Sequence, residues 1–206
     1  MKFLNCSLAF GLALTMGSSV FALNIGDSIP DSVVNTKMKN AANGKYLTIK
    51  KVAGKKGTLV IFTCNSCPYV QKWNDRIVKI GNDYSARGIG VVAINSNDPK
   101  RTDPKEPDND GYDAMNRLIK EKNMKYAYVV DDTSKVAHAF DAKKTPEVFL
   151  FDGKGKLVYE GAVDSSPEYP EKAKPWLRQA LDEVLAGKTV NFTKGPAVGC
   201  GIKFRS

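Results

Sequence analysis

The chain has 206 residues, of which 42% are hydrophobic and 26% are charged, so it can bury one ordinary globular core. It contains no internal repeat or low-complexity tract, which excludes repeat and low-complexity proteins. The formal charge of +9 comes from scattered lysines without an aromatic-interleaved basic motif, so we expect no nucleic-acid binding. A solvated basic surface that steers acidic partners toward the protein is expected instead.

The first 22 residues differ from the rest of the chain. Lys2 precedes a mostly apolar run over residues 3–16, and a small residue, Ala22, closes the segment. This order predicts a secretory signal peptide, residues 1–22, that is cleaved after Ala22. An uncleaved membrane anchor is the alternative, but the run is shorter than the roughly 20 apolar residues that span a bilayer. We therefore expect a periplasmic or secreted protein.

Export determines which cysteines remain in the mature protein. Cys6 leaves with the predicted signal peptide, whereas Cys64, Cys67 and Cys200 remain. An exported protein meets an oxidising environment in which disulfides persist. Because three is an odd number, one thiol is left for a free, regulatory or alternative pairing role.

The first part of the predicted mature chain contains no candidate catalytic or binding residue. Two short β-like segments, near residues 32–35 and 45–49, are separated by a turn-rich stretch at 40–44. A glycine-bounded break at 54–57 then precedes a continuous apolar strand at 58–62. Such a strand suits the middle of a sheet that is covered on both faces.

Two cysteines in a C-x-x-C pattern follow this strand, where a helix is predicted to begin. Residues three apart in the first turn of a helix lie close enough for a disulfide, whose Cα atoms must be about 4.4 to 6.8 Å apart. A helix N-terminus stabilises negative charge, so we expect Cys64 to be exposed, with its pKa below the usual value of about 8.5. This predicts Cys64 as the nucleophile and the more covered Cys67 as the resolving thiol.

The elements after the dithiol predict parallel strands. Apolar residues follow Cys67 along one helix face at steps of three and four, and residues 89–94 form the next apolar strand. A strand–helix–strand unit favours a right-handed crossover, so both strands end at one edge of the sheet. The polar loop at 95–111 leaves that edge and is expected either to border the active site or to be a solvated excursion. Its carboxylates lack the spacing of a calcium loop.

The second half of the chain predicts three more helices and three more strands. The helices are predicted at 112–122, in a short segment that reaches Phe140, and at 172–186. The strands are predicted at 126–130, 148–151 and 157–160, and the last two form an antiparallel pair. Asp132 or Thr133 is expected to cap the short helix. His138, the sole histidine, lies in that helix, and a packing or surface role is favoured over a metal or general-base role. Cys200, in the glycine-rich tail at 191–206, is expected to be exposed and mobile.

Four motifs follow one another at a characteristic spacing. They are Cys64-Asn65-Ser66-Cys67-Pro68-Tyr69-Val70, Asn95-Ser96-Asn97-Asp98, Thr145-Pro146-Glu147-Val148-Phe149-Leu150-Phe151-Asp152-Gly153 and Gly199-Cys200-Gly201-Ile202-Lys203-Phe204. Together they resemble the thioredoxin superfamily, and more closely its redoxin branch, which is related to alkyl hydroperoxide reductase and thiol-specific antioxidant proteins.

The resemblance has implications for the fold and for two residues. It implies an α/β thioredoxin-like three-layer fold over residues 23–190, in which a central mixed sheet carries helices on both faces and an N-terminal β-hairpin extension. It also implies that Pro146 is cis and faces the dithiol. Thr145 would then expose its backbone so that a substrate strand pairs with it.

The leading functional hypothesis is thiol–disulfide oxidoreduction. Cys64 attacks a protein or small-molecule disulfide, a mixed disulfide forms, and Cys67 resolves it. This chemistry requires no metal or organic cofactor. Exported proteins of this kind are more often reductants, so we expect an upstream thiol electron donor and contact with a membrane only through such a redox partner. Cys200 is a candidate accessory thiol.

Two other functions stay open on the sequence. Peroxiredoxins, which are among the nearer relatives that the resemblance implies, carry a threonine three residues before the peroxidatic cysteine. Cys64 occupies that threonine position, so a thiol-dependent peroxidase would use Cys67 as its peroxidatic thiol. A soft-metal site formed by Cys64, Cys67 and His138 is the third hypothesis.

Overall fold

The computed structural model describes residues 22–101 and 109–205. The predicted signal peptide therefore lies outside the described residues, apart from Ala22. Among the described residues, no helix is both long enough and apolar enough to cross a lipid bilayer.

The described residues form short and medium-length strands and helices in an alternating order. The strands are β1 (Met38–Asn40), β2 (Tyr46–Leu47), β3 (Gly57–Phe62), β4 (Ile89–Asn95), β5 (Ala127–Val130), β6 (Lys144–Thr145), β7 (Glu147–Asp152), β8 (Leu157–Gly161) and β9 (Cys200–Gly201). The helices are α1 (Asp31–Val34), α2 (Ile49–Val52), α3 (Pro68–Ser85), α4 (Tyr112–Glu121), α5 (Lys135–Phe140) and α6 (Trp176–Leu185), and a 3₁₀ turn lies at Pro99–Arg101.

Seven of the described strands form one mixed sheet in the order β2–β1–β5–β4–β3–β7–β8. β4 and β5 are parallel, whereas β7 runs antiparallel to both β3 and β8. Just beyond β3, the N–H of Thr63 donates to the carbonyl of Ile94 in β4 at 2.9 Å. Every residue of β3 and β4 is buried, as expected for strands that are covered on both faces.

A separate hydrophobic core lies on each face of the sheet. One core packs the sheet against α3, α4 and α6 and includes Trp73 and Leu181. The other packs the opposite face against α1, α2 and α5 and includes Ile49 and Phe140. The predicted three-layer α/β fold is therefore confirmed.

The N-terminal hairpin is confirmed, but one of its predicted strands is misplaced. β1 pairs with β2 and, on its other side, with β5. Residues 31–34 form the helical turn α1, where the sequence predicts a β-like segment at 32–35. Val33 is buried from this turn, so core packing outweighs the strand preference of a β-branched side chain.

The predicted cap of α5 is also wrong. The N-cap position is Ser134, whose φ is 55°, and its side chain makes no cap hydrogen bond. The carboxylate of Asp131 instead accepts the N–H groups of Val136 and Ala137, each at 3.1 Å. A carboxylate just upstream thus satisfies the free donors of the first turn without occupying the cap position itself.

Candidate active site

The two thiols of the C-x-x-C motif lie at the N-terminus of α3. Pro68 is the first residue of the helix and Cys67 its N-cap, an arrangement that suits proline because the first turn leaves its N–H groups free. Both thiols are unbridged and almost fully covered, with Cys64 1% and Cys67 3% exposed. The strand-to-helix corner is where the sequence predicts it, but Cys64 is not the exposed member of the pair.

Thr145 brings the loop before β7 against both sulfurs. The Thr145–Pro146 peptide bond is cis, as the resemblance implies. Thr145 Oγ1 lies 3.3 Å from Cys64 Sγ, and Cys67 Sγ lies 3.1 Å from Thr145 O, to which it donates while it is protonated. The structure therefore brings Thr145, and with it Pro146, next to the dithiol.

The C-terminal segment occupies the backbone edge of Thr145. β9 pairs antiparallel with β6, which places Cys200 opposite Thr145, and the N–H of Ile202 donates to Lys143 O at 3.0 Å. Cys200 is partly buried and packs against the dithiol. The expectation of an exposed and mobile Cys200 is wrong. The edge that is predicted to receive a substrate strand is held by the chain's own tail.

Further contacts hold the tail from its other side. Asn97 Oδ1 accepts the N–H of Lys203 at 2.8 Å, and the N–H of Asp98 donates to Lys203 O at 2.7 Å. The ring of Phe204 stacks on His138 with a centroid separation of 4.2 Å. The tail is ordered because backbone hydrogen bonds and ring stacking fix it, although its composition is polar and rich in glycine.

Asp110 is a site residue that the sequence analysis does not single out. Its side chain is buried, and its Oδ1 accepts the N–H groups of Asn65 and Ser66 at 2.5 and 3.2 Å. Its Oδ2 accepts the hydroxyl of Ser66 at 2.6 Å and Asn97 Nδ2 at 2.9 Å. The carboxylate thus fixes the backbone between the two cysteines. In the sequence, nothing distinguishes Asp110 from the other carboxylates of the loop at 95–111.

The described ends of that loop border the site. Asn97 contributes from the end that follows β4, and Asp110 from the end that precedes α4. Of the two interpretations that the sequence allows, the structure supports a loop at the active site. The residues at 102–108 lie outside the described part of the chain.

The negative charge of the reduced pair lies on Cys67. A hydrogen bond from the Cys64 thiol is the main reason that the pKa of Cys67 falls to about 5; burial opposes the fall, and hydrogen bonds from Cys200 add to it. The pKa of Cys64 is raised well above its usual value by its hydrogen bond to Cys67, by burial and by the charge of Asp110. The predicted lowering of the Cys64 pKa is therefore wrong. The helix begins after Cys67 rather than at Cys64, and a buried carboxylate stands beside Cys64.

Two cavities reach the dithiol. The first, of about 310 Å³, is lined by all three cysteines of the described chain and carries the cationic side chains Arg101 and Lys203. The second, of about 350 Å³, is lined by Cys64 together with residues of α3 and α4. Cys64 therefore lines both cavities, whereas Cys67 lines only the first of them.

His138 takes a packing role on α5. Its ring stacks on Phe204 rather than joining the cysteines. Within residues 22–101 and 109–205, no three or more His, Cys, Asp or Glu side chains are grouped so that they could hold a metal ion. The structure therefore does not assemble the soft-metal site of Cys64, Cys67 and His138.

A dithiol at a helix N-terminus that faces a cis-proline loop on a mixed, helix-covered sheet defines a thioredoxin-like protein. This chain belongs to the Redoxin family, whose profile matches residues 24–177. Membership of this family carries a thiol-based oxidoreductase activity.

The chain is also similar to individual proteins. The chain is 20% identical over 151 residues to Thiol-disulfide oxidoreductase ResA of Halalkalibacterium halodurans, a match that covers 73% of this chain and 78% of that protein. A solved structure of an uncharacterised conserved protein from Geobacillus kaustophilus is 32% identical, with a TM-score of 0.77 over 88% of this chain and 93% of that one. A hypothetical protein from Sinorhizobium meliloti 1021 is 31% identical, with a TM-score of 0.78 over 90% and 97%.

Proposed function

We propose that the protein is an exported thiol–disulfide oxidoreductase that cycles between the Cys64–Cys67 dithiol and its disulfide. The observation that supports this most directly is that both thiols meet the same residue, Thr145, in front of the cis-proline. The named activity of the relative ResA agrees with it. Cys64 is the proposed nucleophile and Cys67 the resolving thiol.

In the first step, Cys67 acts as the base for Cys64. The Cys64 thiol donates to Cys67 and passes its proton to it only as Cys64 attacks the disulfide, because the resting pair keeps its proton on Cys64, the thiol of higher pKa. The new Cys67 S–H is then held by the carbonyl of Thr145. The hydroxyl of Thr145, at 3.3 Å from Cys64 Sγ, stabilises the developing Cys64 thiolate. Cys64 attacks one sulfur of the substrate disulfide, and the other substrate sulfur leaves as a thiolate.

In the second step, Cys67 resolves the mixed disulfide. The leaving thiolate takes the proton of Cys67, so Cys67 is ionised again. It attacks Cys64 Sγ, the Cys64–Cys67 bond forms, and the second substrate thiolate leaves and takes a proton from water. The substrate gains two electrons and the dithiol loses them. An upstream thiol donor then reduces the pair for the next cycle.

The proposed substrate is a disulfide in a protein or a small molecule, and it enters through the cavity beside the tail. The backbone edge of Thr145 is already paired with β9, and of the two cavities described above only this one reaches Cys67 as well as Cys64. Arg101 and Lys203 line it, which favours a disulfide that carries negative charge nearby. The membrane takes part only through the redox partner that supplies electrons.

Trapping of mixed disulfides tests the proposal. The double variant Cys67→Ser/Cys200→Ser, expressed with residues 1–22, is quenched with acid so that thiols stop exchanging. We expect disulfide-linked partners to be recovered through Cys64. The matched variant Cys64→Ser/Cys200→Ser should yield far fewer disulfide-linked partners. Recovery of no partner through Cys64, together with a wild-type dithiol that does not close on oxidation, would overturn the proposal.

The exported location has a separate test. Residues 1–22 have the order of a signal peptide, and the proposed mature protein begins at Leu23. N-terminal sequencing of protein recovered from the periplasm or the medium should give Leu23 as its first residue. Full-length protein that stays inside the cell would contradict export but not the thiol chemistry.

A second candidate function is a thiol-dependent peroxidase. The lowered pKa of Cys67, about 5, favours it, because the peroxidatic cysteine must react as a thiolate. The Cys67 thiolate would attack one peroxide oxygen and become a sulfenic acid, while the O–O bond breaks and the other oxygen leaves as water or an alcohol. A neighbouring thiol then condenses with the sulfenic acid to give a disulfide and a molecule of water. If this is the reaction, Cys64→Ser retains peroxide consumption with a thiol donor and Cys67→Ser abolishes it. Loss of consumption in both variants, or none in the wild type, excludes it.

A further inference from the structure

Cys67 has a cysteine neighbour on each side. Its sulfur interacts with the Cys64 thiol and with the Cys200 thiol, and the three residues form one packed cluster with Val70. Thr145 contacts all three cysteines: its hydroxyl lies 3.3 Å from Cys64 Sγ, its carbonyl oxygen lies 3.1 Å from Cys67 Sγ, and its backbone pairs with Cys200. Cys67 is therefore placed to share a disulfide with either neighbour.

We propose that Cys200 is a third redox-active thiol, which takes over the disulfide from Cys64 by bonding to Cys67. This inference rests on the proposed function, because a Cys64–Cys67 disulfide has to form first. The Cys200 thiolate attacks Cys67 Sγ, the Cys64–Cys67 bond breaks, and Cys64 leaves as a thiolate that takes the proton lost by Cys200. One disulfide replaces another, so the step consumes neither an oxidant nor a reductant.

The fold holds Cys200 where this attack requires it. β9 pairs with β6 at the edge where the resemblance places a substrate strand, so Cys200 stands where a substrate cysteine would stand. The following residues are tied down on both sides, Ile202 to Lys143 and Lys203 to Asn97. The tail is thus a built-in strand that presents its own cysteine to the dithiol.

Exposure gives the exchange a purpose. Cys64 and Cys67 are almost fully covered, whereas Cys200 is partly exposed, so the exchange moves the disulfide to a more exposed position, which an electron donor reaches more readily. Burial raises the pKa of Cys200 to about 11, so Cys200 has to give up its proton before it attacks. The freed Cys64, which is more deeply buried than Cys200, takes that proton.

Peptide mapping of oxidised protein tests the inference. Reduced Cys64→Ser protein is treated with one equivalent of 4,4′-dithiodipyridine, alkylated, and digested with trypsin without reductant. Cys67 lies in the tryptic peptide 57–72 and Cys200 in 195–203, so their disulfide appears as a linked pair of peptides. We expect this linked pair as the main product, with release of both halves of the oxidant. In the wild type, the disulfide within 57–72 should be accompanied by a smaller linked fraction.

Two glycines of the tail provide a matched pair of controls. A Cβ at Gly199 would lie 2.2 Å from Thr145 O, so Gly199→Ala forces the tail away from β6, whereas a Cβ at Gly201 meets nothing within 4 Å. In the Cys64→Ser background, Gly199→Ala should lower the yield of the linked peptides by about tenfold or more, because the displaced thiol no longer meets Cys67. Gly201→Ala should leave the yield unchanged.

The outcomes separate this inference from the proposed function. If Cys200 is recovered alkylated in Cys64→Ser while Cys67 keeps the oxidant as a mixed disulfide, the inference is overturned. If the wild type still forms the Cys64–Cys67 disulfide in that case, the proposed function stands. If the wild type forms neither disulfide, the proposed function fails as well. Equal yields from the two glycine variants would also overturn the inference, because the docked tail would then have no role.

Discussion

Asp110 Oδ1 accepts the backbone N–H of Asn65 at 2.5 Å, although 45 residues separate the two in the sequence. The carboxylate is buried, so its charge acts on neighbouring Cys64 with little screening by water and salt. One side chain thus shapes the backbone between the cysteines and sets part of the electrostatic environment of the dithiol.

Replacing Asp110 by asparagine should change both properties. Asp110→Asn removes the charge that repels a thiolate, so the pKa of Cys64 should fall toward its usual value. Weaker hydrogen bonds to the Asn65–Ser66 backbone should lower the free energy of unfolding by about 1–3 kcal/mol. The pH dependence of alkylation at each cysteine and urea unfolding measure the two effects. Asp113→Asn, in the exposed first turn of α4, is the matched control and should change neither. An unaltered Cys64 pKa in Asp110→Asn would contradict the assigned role.

The low pKa of Cys67 should depend on Cys64. Cys64→Ala removes the hydrogen bond that lowers the pKa of Cys67 most, so that pKa should rise from about 5. Cys200→Ala removes smaller contributions and should raise it less. Thiolate absorbance in the ultraviolet, recorded as a function of pH, gives both values. A larger rise in Cys200→Ala than in Cys64→Ala would mean that Cys200, rather than Cys64, makes the main contribution to the low pKa of Cys67.

The stability of the reduced protein should depend on pH through the same thiol. Between about 5 and the ordinary value of 9.0, Cys67 is ionised in the folded protein and protonated in the unfolded chain. The unfolded state then binds more protons, so the free energy of unfolding rises with pH across this range and falls as pH drops through about 5. Urea unfolding under reducing conditions, compared with Cys67→Ala at each pH, measures the difference. Curves that stay parallel would rule out an ionised Cys67 in the native state.

Asn97 should be needed for the docked tail. Its Oδ1 accepts the N–H of Lys203 and its Nδ2 donates to Asp110. Asn97→Ala therefore removes one hydrogen bond that holds the tail and one that holds the Asp110 carboxylate. We expect faster amide hydrogen exchange over residues 202–205 and a loss of about 1–3 kcal/mol in stability. Asn116→Ala, which loses a 2.7 Å hydrogen bond to Ala41 O, is the control. It should reduce stability without changing exchange in the tail. Slow exchange in Asn97→Ala would mean that the β6–β9 pairing alone holds the tail.

The cationic cavity should select among substrates by charge. Lys203→Met should slow the reaction of the reduced protein with glutathione disulfide by about fivefold, the effect of about 1 kcal/mol for one charge pair in water. The reaction with cystamine, a cationic disulfide, should not slow. Lys156→Met, beside Ser28 and outside this cavity, is the control. Second-order rate constants at low and high salt provide the measurement. Equal slowing of both disulfides would point to a structural effect rather than an electrostatic one.

The sequence predicts those features that depend on local patterns. The apolar run of β3 and the C-x-x-C motif locate the strand-to-helix corner, and the Thr-Pro pair before β7 locates the loop that faces it. The docked tail cannot be predicted in this way. β9 has only two residues, too few for a periodicity, and its partner Lys144–Thr145 lies far away in the chain.

The charge distribution of the site is equally hidden in the sequence. Asp110 is one of several carboxylates in a loop, and its burial depends on contacts with Asn65, Ser66 and Asn97 that form only in the folded chain. The expected low pKa of Cys64 relied on a helix dipole alone. In the folded protein, the shared proton and the buried carboxylate outweigh that dipole at Cys64.

The pairing of β9 with β6 also changes how Cys200 competes with other thiols. A thiol that is free in solution meets the dithiol at a rate set by its concentration. A thiol tethered beside its target behaves as if it were present at a local concentration on the order of millimolar, whatever the surroundings contain. Dilution would therefore slow the reaction of the dithiol with every external thiol, but not its reaction with Cys200.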